Sequence, residues 1–330
     1  MRQPRDPHIA IVGAGPCGLA CGHELRRLGH DDWVLYERGD RAGGHAGSHV
    51  DPAGFTWDEG GHVVFSHFGE FDRLLEEALG DDVYEHERSS YVRVDGRWVP
   101  YPFQNNLRYL SPEHAYECLV GLLDAPGADG TGDFATWMVE TFGEGITARF
   151  MRPYNTKVWA VEPEHMSATW IAERVSVVDA RRALRSVLLG LDDVGWGPNN
   201  TFRFPRSGGT GEIYRRLADR LGEHVRYERE LVGLDAEHKR IRFADGGDAG
   251  YDALVSTMPV DRLVAAIDAC PSEVREAAAS LEHNSVWIVG VGVERPLEDD
   301  RSWLYFADPE VPFYRVTNFA KYAAANVPDS

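Results

Sequence analysis

The 330-residue chain carries 53 acidic and 34 basic side chains, so its net charge is −19 at pH 7. This balance argues against a nucleic-acid binder, which would normally present a basic face. No apolar run approaches the length that crosses a bilayer, and no signal-peptide h-region precedes the first apolar run, so the sequence predicts no membrane association. The four cysteines form no CxxC pair and no metal-ligand pattern, which favours a reduced, cytoplasmic enzyme.

The first predicted elements are a short buried strand, a glycine-rich turn with the sequence GAGPCG, and a helix. In the turn, Gly13 permits the tight bend, Gly15 lets a pyrophosphate approach the backbone, and Gly18 lets the helix pack closely on the strand. A second predicted strand ends at Glu37, about 20 residues further on, where an acidic side chain can hold ribose hydroxyls. This order of elements predicts a dinucleotide-binding unit.

After this unit, short predicted strands alternate with helical stretches. Predicted strands lie at 33–36, 48–50, 55–57, 225–227, 231–234, 240–243, 253–256, 285–293 and 303–306, and a hairpin at 90–99 turns at Asp95-Gly96. Predicted helices cover 68–79, most of 111–189 with an N-cap at Ser111, the segment that ends at Leu221, and a pair within 261–280.

Two glycine doublets follow the predicted acid. The doublet at 43–44 suggests a backbone pressed against a ligand, and the doublet at 60–61 carries a histidine directly after it. The same region holds four histidines: His45, His49, His62 and His67. Their spacing lacks the short repeats of zinc ligands, so the sequence predicts no metal site.

Seven segments together resemble the UDP-galactopyranose mutases, most closely their longer, eukaryotic-type branch. They are GAGPCGLA, ERGDRAGGHAGS, FTWDEGGHVVFSHFGEFD, VPYPFQNNL, PYNTKVWAVEPEHMSATWIAERV, NNTFRFPRSGGTGEIY and FYRVTNFAKY. The first segment is common to many flavoproteins, whereas PFQNN, NTKVWAVEP and FRFPRSGGTG in combination are specific. The resemblance runs from about His8 to Gly211 and resumes near Trp303.

The resemblance implies an α/β fold with a Rossmann-like FAD-binding domain, an inserted helical domain and a mixed or antiparallel sheet domain. The implied bounds are 1–100 and 199–270 for the FAD-binding domain, 101–198 for the mainly helical substrate-side domain, and 271–330 for a segment of the sheet domain. The family continues past the counterpart of Ser330, so we expect its C-terminal part to be absent from this chain.

The resemblance also implies an isomerase that interconverts UDP-galactopyranose and UDP-galactofuranose, or a close nucleotide sugar, through a flavin N5–sugar adduct without net redox. The cofactor would be FAD, active in its reduced form after activation by NAD(P)H or another reductant. The expected partner is the nucleotide-sugar substrate, and formation of a homo-oligomer stays open.

The resemblance assigns residues to each role. The catalytic residues would be His62, near the flavin ring, and Arg174 and Arg315, on the diphosphate. The cofactor-binding residues would be Gly13, Gly15, Pro16, Cys17, Gly18, Glu37, Arg38, Gly43, Gly44, His45, Gly60 and Gly61. The substrate-binding residues would be Tyr101, Phe103, Gln104, Asn155, Trp159, Asn200, Trp303, Tyr305 and Tyr322.

Two other functions remain open at this stage. A flavin oxidoreductase of the amine-oxidase or desaturase type shares the nucleotide-binding fold but removes a hydride from its substrate. The PFQNN loop and the paired arginines favour the mutase over this alternative. A truncated, non-catalytic chain that still binds a nucleotide sugar is the third hypothesis, because of the expected missing C-terminal part.

Overall fold

The structure is a computed structural model that describes residues 6–171, 175–195, 200–295 and 297–328. The α-helices in these ranges are α1 (Pro16–Arg27), α2 (Gly69–Leu79), α3 (Pro112–Asp124), α4 (Phe134–Ile146), α5 (Arg152–Trp159), α6 (Ala180–Leu189), α7 (Gly211–Leu221), α8 (Val260–Ala266) and α9 (Ser272–Ala279). Arg174, predicted to bind a diphosphate, lies outside the described residues. None of the helices in these ranges combines the length and the apolar character that a membrane crossing requires.

The β-strands of the described residues form five sheets. In chain order the strands are β1 (Ile9–Val12), β2 (Trp33–Tyr36), β3 (Ser48–Val50), β4 (Thr56–Asp58), β5 (Val83–Glu87), β6 (Ser90–Val94), β7 (Arg97–Pro100), β8 (Thr201–Pro205), β9 (Val225–Arg226), β10 (Leu231–Asp235), β11 (Arg240–Phe243), β12 (Asp248–Gly250), β13 (Ala253–Ser256), β14 (Trp303–Phe306) and β15 (Arg315–Thr317). The sheets are β13-β1-β2-β9, β10-β11-β12, β15-β14-β6-β7, β3-β4 and β5-β8.

The chain divides into two compact units. Unit 1 comprises the residues up to Tyr84, Arg203–Val293 and the residues from Ala323 onward, and unit 2 comprises Glu85–Phe202 and Glu294–Tyr322. The domain bounds expected from the sequence stay a prediction.

Unit 1 is built on the parallel sheet β13-β1-β2-β9. One face of the sheet packs on α1, α2 and α7, with Ile11 and Leu35 fully buried. The other face presents Ala10 and Val12 to the antiparallel sheet β10-β11-β12. Burial of both faces explains the continuous apolar run of β1. The carboxyl ends of β1 and β2 therefore lie side by side, at the edge where open parallel sheets bind ligands.

Unit 2 combines helices α3 to α6 with the mixed sheet β15-β14-β6-β7. The predicted hairpin is confirmed: β6 and β7 are joined at Asp95 and Gly96, which have φ angles of 51° and 73°. The predicted N-cap is also confirmed, because Ser111 Oγ accepts the backbone N–H of His114 at 3.2 Å. The expected α/β class with a helical region and a mixed sheet agrees with this architecture.

The predicted strand at 285–293 is wrong. This stretch, which we call the apolar segment, forms no strand, and the exposed fractions of Trp287, Val289 and Val291 are 93%, 79% and 73%. Gly290 and Gly292 lie against aromatic rings, since a Cβ on either would approach Trp57 to 2.9 Å and Phe55 to 2.7 Å. An apolar run becomes a strand only where a neighbouring strand supplies hydrogen-bonding groups, and no strand of the described ranges pairs with this one.

Candidate functional site

The glycine-rich turn of unit 1 joins β1 to α1. Gly13 has a φ of 103°, and a Cβ there would overlap Thr257 Oγ1. A Cβ on Gly18 would overlap the carbonyl oxygen of Gly13, so the fold itself requires glycine at both positions. Gly15 differs, because its φ of −73° is ordinary and the closest atom to a Cβ would be Gly44 Cα at 4.0 Å. The space in front of Gly15 is a cradle that a side chain would fill, and it fits a ligand's pyrophosphate.

Glu37 follows β2 and lies against the same turn. Its Oε2 accepts the backbone N–H of Ala14 at 2.7 Å, and its Oε1 accepts that of Gly39 at 2.8 Å. A carboxylate has about four acceptor positions, so two remain for hydroxyl groups. Among the residues that the structure describes, no side chain caps the N-terminus of α1, which leaves that end of the helix to an anion. This arrangement fits a dinucleotide.

The glycine doublet at 43–44 packs directly on the turn. The N–H of Gly43 donates to the carbonyl oxygen of Ala14 at 2.9 Å, and a Cβ on Gly44 would lie 3.2 Å from Gly15 Cα. Both glycines have positive φ angles, 122° and 52°. Several predicted cofactor residues have exposed side chains in this region: Pro16, Cys17, Arg38 and His45.

A buried carboxylate that sequence reasoning missed supports the second doublet, at 60–61. Asp58 ends β4 and is 6% exposed. It accepts hydrogen bonds from Ser48 Oγ at 2.5 Å, from the Thr210 N–H at 3.0 Å and from Thr210 Oγ1 at 2.7 Å. Burial raises the pKa of Asp58 to about 6, against the opposing effect of these hydrogen bonds. Thr210 Oγ1 also lies 3.0 Å from the carbonyl oxygen of His62, so the network ties the doublet to the start of α7.

His62 itself is exposed and turns back over the doublet. Its N–H donates to the carbonyl oxygen of Gly60 at 3.0 Å, and a Cβ on Gly60 would come within 2.8 Å of His62 Cε1. The φ of 133° at Gly60 permits this close approach. Gly61 is half-buried beside it.

The predicted catalytic arginine of unit 2, Arg315, lies on β15 directly opposite Tyr305 of β14. Its guanidinium carbon is 4.8 Å from the centre of the Trp303 ring and 5.7 Å from that of Tyr314. Arg88, which sequence reasoning missed, also stacks on Trp303 at 4.8 Å. Within the described ranges, no carboxylate lies at ion-pair distance from Arg315. This guanidinium is therefore available to an external anion.

Three tyrosines form an aromatic cluster beside Arg315. The ring of Tyr305 is 5.2 Å from the rings of both Tyr101 and Tyr154. Burial raises the pKa of each of the three hydroxyls, although Arg315 lowers those of Tyr154 and Tyr305. The hydroxyls therefore stay protonated at neutral pH. The buried Nε1 of Trp303 has no hydrogen-bond acceptor among the described residues, so a bound polar group could satisfy it.

The other predicted substrate residues have different nearest partners. Phe103 is fully buried against Phe150, with ring centres 5.1 Å apart. Gln104 Nε2 donates to the carbonyl oxygen of Ser176, and its buried Oε1 has no donor in the parts of the chain that are described. Asn155 Nδ2 donates to the carbonyl oxygen of its helix neighbour at 151, at 2.7 Å.

The last three predicted substrate residues lie elsewhere in unit 2. Trp159 packs edge-on against Trp170, with ring centres 5.0 Å apart. The carbonyl oxygen of Asn200 accepts the N–H of Arg88 at 2.8 Å. Tyr322 is 1% exposed and packs on Phe202. Of the predicted substrate-binding and catalytic residues, the structure brings Tyr101, Trp303, Tyr305 and Arg315 into one cluster.

Lys157 positions the strand pair that carries Arg315, and sequence reasoning missed it. Its Nζ donates to the carbonyl oxygens of Phe306, Asp308 and Phe313, at 3.2, 2.6 and 3.3 Å. These carbonyls bracket the connection between β14 and β15. The only signals in the sequence were the scarcity of lysine, with three in the chain, and its place in NTKVWAVEP.

Comparisons with known proteins agree with this geometry. The family model of flavin-containing amine oxidoreductases matches residues 16–323. A solved structure of a reduced UDP-galactopyranose mutase is 39% identical and superposes with a TM-score of 0.89, covering 98% of this chain and 72% of that chain. The chain belongs to the UDP-galactopyranose mutases, within the flavin-containing amine oxidoreductases. The family gives the cofactor as a flavin, and the fold class expected from the sequence is confirmed.

More distant likenesses are limited in extent or show the fold alone. A fatty acid isomerase from P. acnes has a TM-score of 0.58 at 17% identity, covering 93% of this chain and 72% of that chain. Tryptophan 2-monooxygenase from Agrobacterium vitis is 49% identical over 44 residues, which are 13% of this chain and 6% of that protein. This chain thus spans only a small part of the length of such curated relatives.

Proposed function

We propose that this chain interconverts UDP-galactopyranose and UDP-galactofuranose, or a close pair of nucleotide sugars, with a reduced flavin and without net redox. The observation that carries the proposal is the Arg315 guanidinium, which stacks on Trp303 and has no carboxylate partner in the described ranges. A guanidinium beside desolvated tyrosines suits a diphosphate, because its charge-assisted hydrogen bonds to phosphate can be bidentate. The likeness to a reduced UDP-galactopyranose mutase supports the same reaction.

The glycine-rich turn of unit 1 would hold FAD. Gly15 leaves space for the pyrophosphate, the open end of α1 would face it, and Glu37 would accept hydrogen bonds from ribose hydroxyls. When bound and reduced, the flavin supplies the nucleophile at its N5 atom. NAD(P)H or another reductant would activate the enzyme.

The basic residues would hold the diphosphate during the reaction. Arg315, together with Arg174, would neutralise the nucleotide diphosphate as the bond to the anomeric carbon breaks, and would keep it in place for its return. Lys157 would keep β14 and β15 in position for this task. The protonated Tyr154 and Tyr305 would exclude water and strengthen these electrostatic contacts.

The uracil base would lie near the loop that follows β7. Tyr101 offers an aromatic ring, and Gln104 Oε1, which has no donor among the described residues, can accept a hydrogen bond from a base N–H. Phe103 is enclosed, so its part would be to support this loop. Roles for Asn155, Trp159, Asn200, Tyr322 and His62 remain proposals of the same kind.

A second candidate function is oxidation of an amine by FAD. The match of the amine oxidoreductase family model over residues 16–323 favours it. The two functions differ in electron balance, because an oxidase reduces its flavin in each turnover, whereas the mutase returns the flavin to its starting state.

The deciding experiment uses the flavin-loaded protein under anaerobic conditions. After reduction with dithionite, incubation with UDP-galactofuranose should yield UDP-galactopyranose, resolved by chromatography, and the oxidised protein should be inactive. With NADPH as reductant, consumption should stop once the flavin is reduced although turnover continues. Absence of interconversion, together with reduction of the oxidised flavin by an amine, would favour the oxidase.

A further inference from the structure

Unit 1 contains a second candidate site, lined by charged side chains from the later turns of α1, from α2 and from the end of α7. The cavity measures about 360 Å³ and is open to solvent, with Arg26, Arg27 and Arg220 exposed; its volume lies within the roughly 300–1,000 Å³ of small-ligand sites. Its lining residues are His23, Arg26, Arg27, Arg73, Glu77 and Arg220. Every one of them is polar or titratable, which does not suit an apolar ligand.

The arginines of this cavity are only partly neutralised. Arg27 pairs with Glu24 at 2.6 Å, and Arg73 pairs with Glu77 at 2.5 Å. Neither Arg26 nor Arg220 forms an ion pair with any residue that the structure describes. The four arginines face Glu77 inside the cavity and Glu24 and Glu70 beside Arg27, which leaves a local charge of about +1 in a chain whose net charge is −19.

Helix electrostatics explains part of this arrangement. Arg26 and Arg27 lie in the last turn of α1, and Arg220 lies in that of α7, where cations interact favourably with the helix dipole. Arg73 lies inside α2, away from its C-terminus, so the dipole does not account for it. Arg26 Nη1 donates to the carbonyl oxygen of Arg220, which screens the negative end of α7 from the cavity. The pairs with Glu24 and Glu77 offset the charges of Arg27 and Arg73, whereas a bound anion would lower the mutual repulsion of the remaining cations.

His23 adds a polar group to the cavity lining. It is 7% exposed, and its Nε2 lies 2.9 Å from the carbonyl oxygen of Leu217, so the neutral ring donates from Nε2 and keeps Nδ1 as an acceptor. Burial lowers the pKa of His23, and Arg26 and Arg73 act in the same direction, whereas Glu77 raises it. A bound anion would reverse the effect of the arginines and favour the protonated ring.

We propose that this cavity binds a small, multiply charged phosphate compound, a phosphate ester or a diphosphate, independently of the flavin and the nucleotide sugar. Guanidinium groups match phosphate oxygens in geometry and charge, and two of them here have no carboxylate partner within the described parts of the chain. Phosphate groups carry enough charge to offset the local excess and to overcome the repulsion of an acidic protein.

The test is isothermal titration of inorganic pyrophosphate into the flavin-loaded protein. Wild type should show saturable binding that weakens about tenfold or more in Arg220→Gln, and further in the double variant with Arg26→Gln. Arg185→Gln, on an exposed face of α6, removes the same charge elsewhere and should bind like wild type. Arg315→Gln should also retain this binding while losing any second binding of pyrophosphate at the proposed substrate site, which separates the cavity from that site.

Parallel titrations with glucose 6-phosphate and ADP distinguish a sugar phosphate from a nucleotide as the natural ligand. Thermal melting of each variant identifies loss of fold. Arg220→Gln should melt like wild type, because the side chain it removes has no partner among the described residues. The proposal is overturned if wild type shows no saturable binding of pyrophosphate, or if both Arg220→Gln and the double variant bind it as tightly as wild type. Mutase turnover, measured separately, tests the proposed function whatever this result.

Discussion

Replacement of Arg315 by alanine is the most direct test of the proposed substrate site. The change removes the stack on Trp303 at 4.8 Å and the only described guanidinium that we assign to the diphosphate. A charge-assisted hydrogen bond contributes about 1.5–3 kcal/mol, so its loss should lower kcat/KM by about 10- to 150-fold. Arg315→Lys keeps the charge but loses the planar fork, and should recover only part of this loss.

A matched control separates this effect from general damage to the sheet. Arg301 precedes β14 and stacks on Trp98 at 4.4 Å, but it is already paired with Asp299 at 2.5 Å. Arg301→Ala should therefore lose a similar stacking contact and keep kcat/KM. The kcat/KM of each alanine variant is measured by steady-state kinetics of the reduced enzyme, and flavin absorbance checks the occupancy of the cofactor site. Equal kcat/KM in Arg315→Ala and wild type, or equal losses in the two alanine variants, would refute the assignment.

Two further predictions concern unit 1. Gly15→Val should abolish flavin binding without lowering the melting temperature of the flavin-free protein, because the nearest protein atom to the new Cβ is Gly44 Cα at 4.0 Å. Gly69→Val, at a position with open space around it, should keep the flavin, and normal flavin absorbance in Gly15→Val would contradict the prediction. For Asp58, the folded pKa of about 6 exceeds the ordinary 3.8, so the folded state binds the proton more tightly than the unfolded state does. The stability that this protonation contributes is therefore lost as the pH rises from about 4 to 6. In urea titrations, wild type should lose up to about 3 kcal/mol of unfolding free energy over that pH interval relative to Asp58→Asn. The prediction is wrong if the unfolding free energies of the two proteins change with pH in parallel.

The dinucleotide turn was predictable because its determinants are local. Gly13, Gly18 and Glu37 act through a strand, a turn and a second strand that are adjacent in sequence, and the parallel pairing of β1 with β2 brings the acid to the turn. The spacing of these residues therefore carries most of the geometry. The resemblance to a known family extended the prediction to Arg315, which no local pattern indicates.

The supporting residues were not predictable because their partners are distant in sequence. Asp58 and Thr210 are 152 positions apart, and Lys157 holds carbonyl groups about 150 positions away. Arg88 gains its contact with Trp303 only through the parallel pairing of β6 with β14. The sequence of the segment 285–293 indicates a strand, but the pattern carries no information on whether a neighbouring strand is present to pair with it.

The exposed apolar segment has a consequence for how the protein behaves in concentrated solution. Its sequence, SVWIVGVGV, contains no charge and no proline, a composition typical of stretches that associate between molecules. At pH 7 the net charge of −19 makes separate molecules repel one another and opposes such association. Near the isoelectric point of about 5.1 this repulsion vanishes, and the segments of two molecules are then free to pair. Mildly acidic buffers would therefore precipitate a protein that alkaline buffers of low ionic strength keep dispersed.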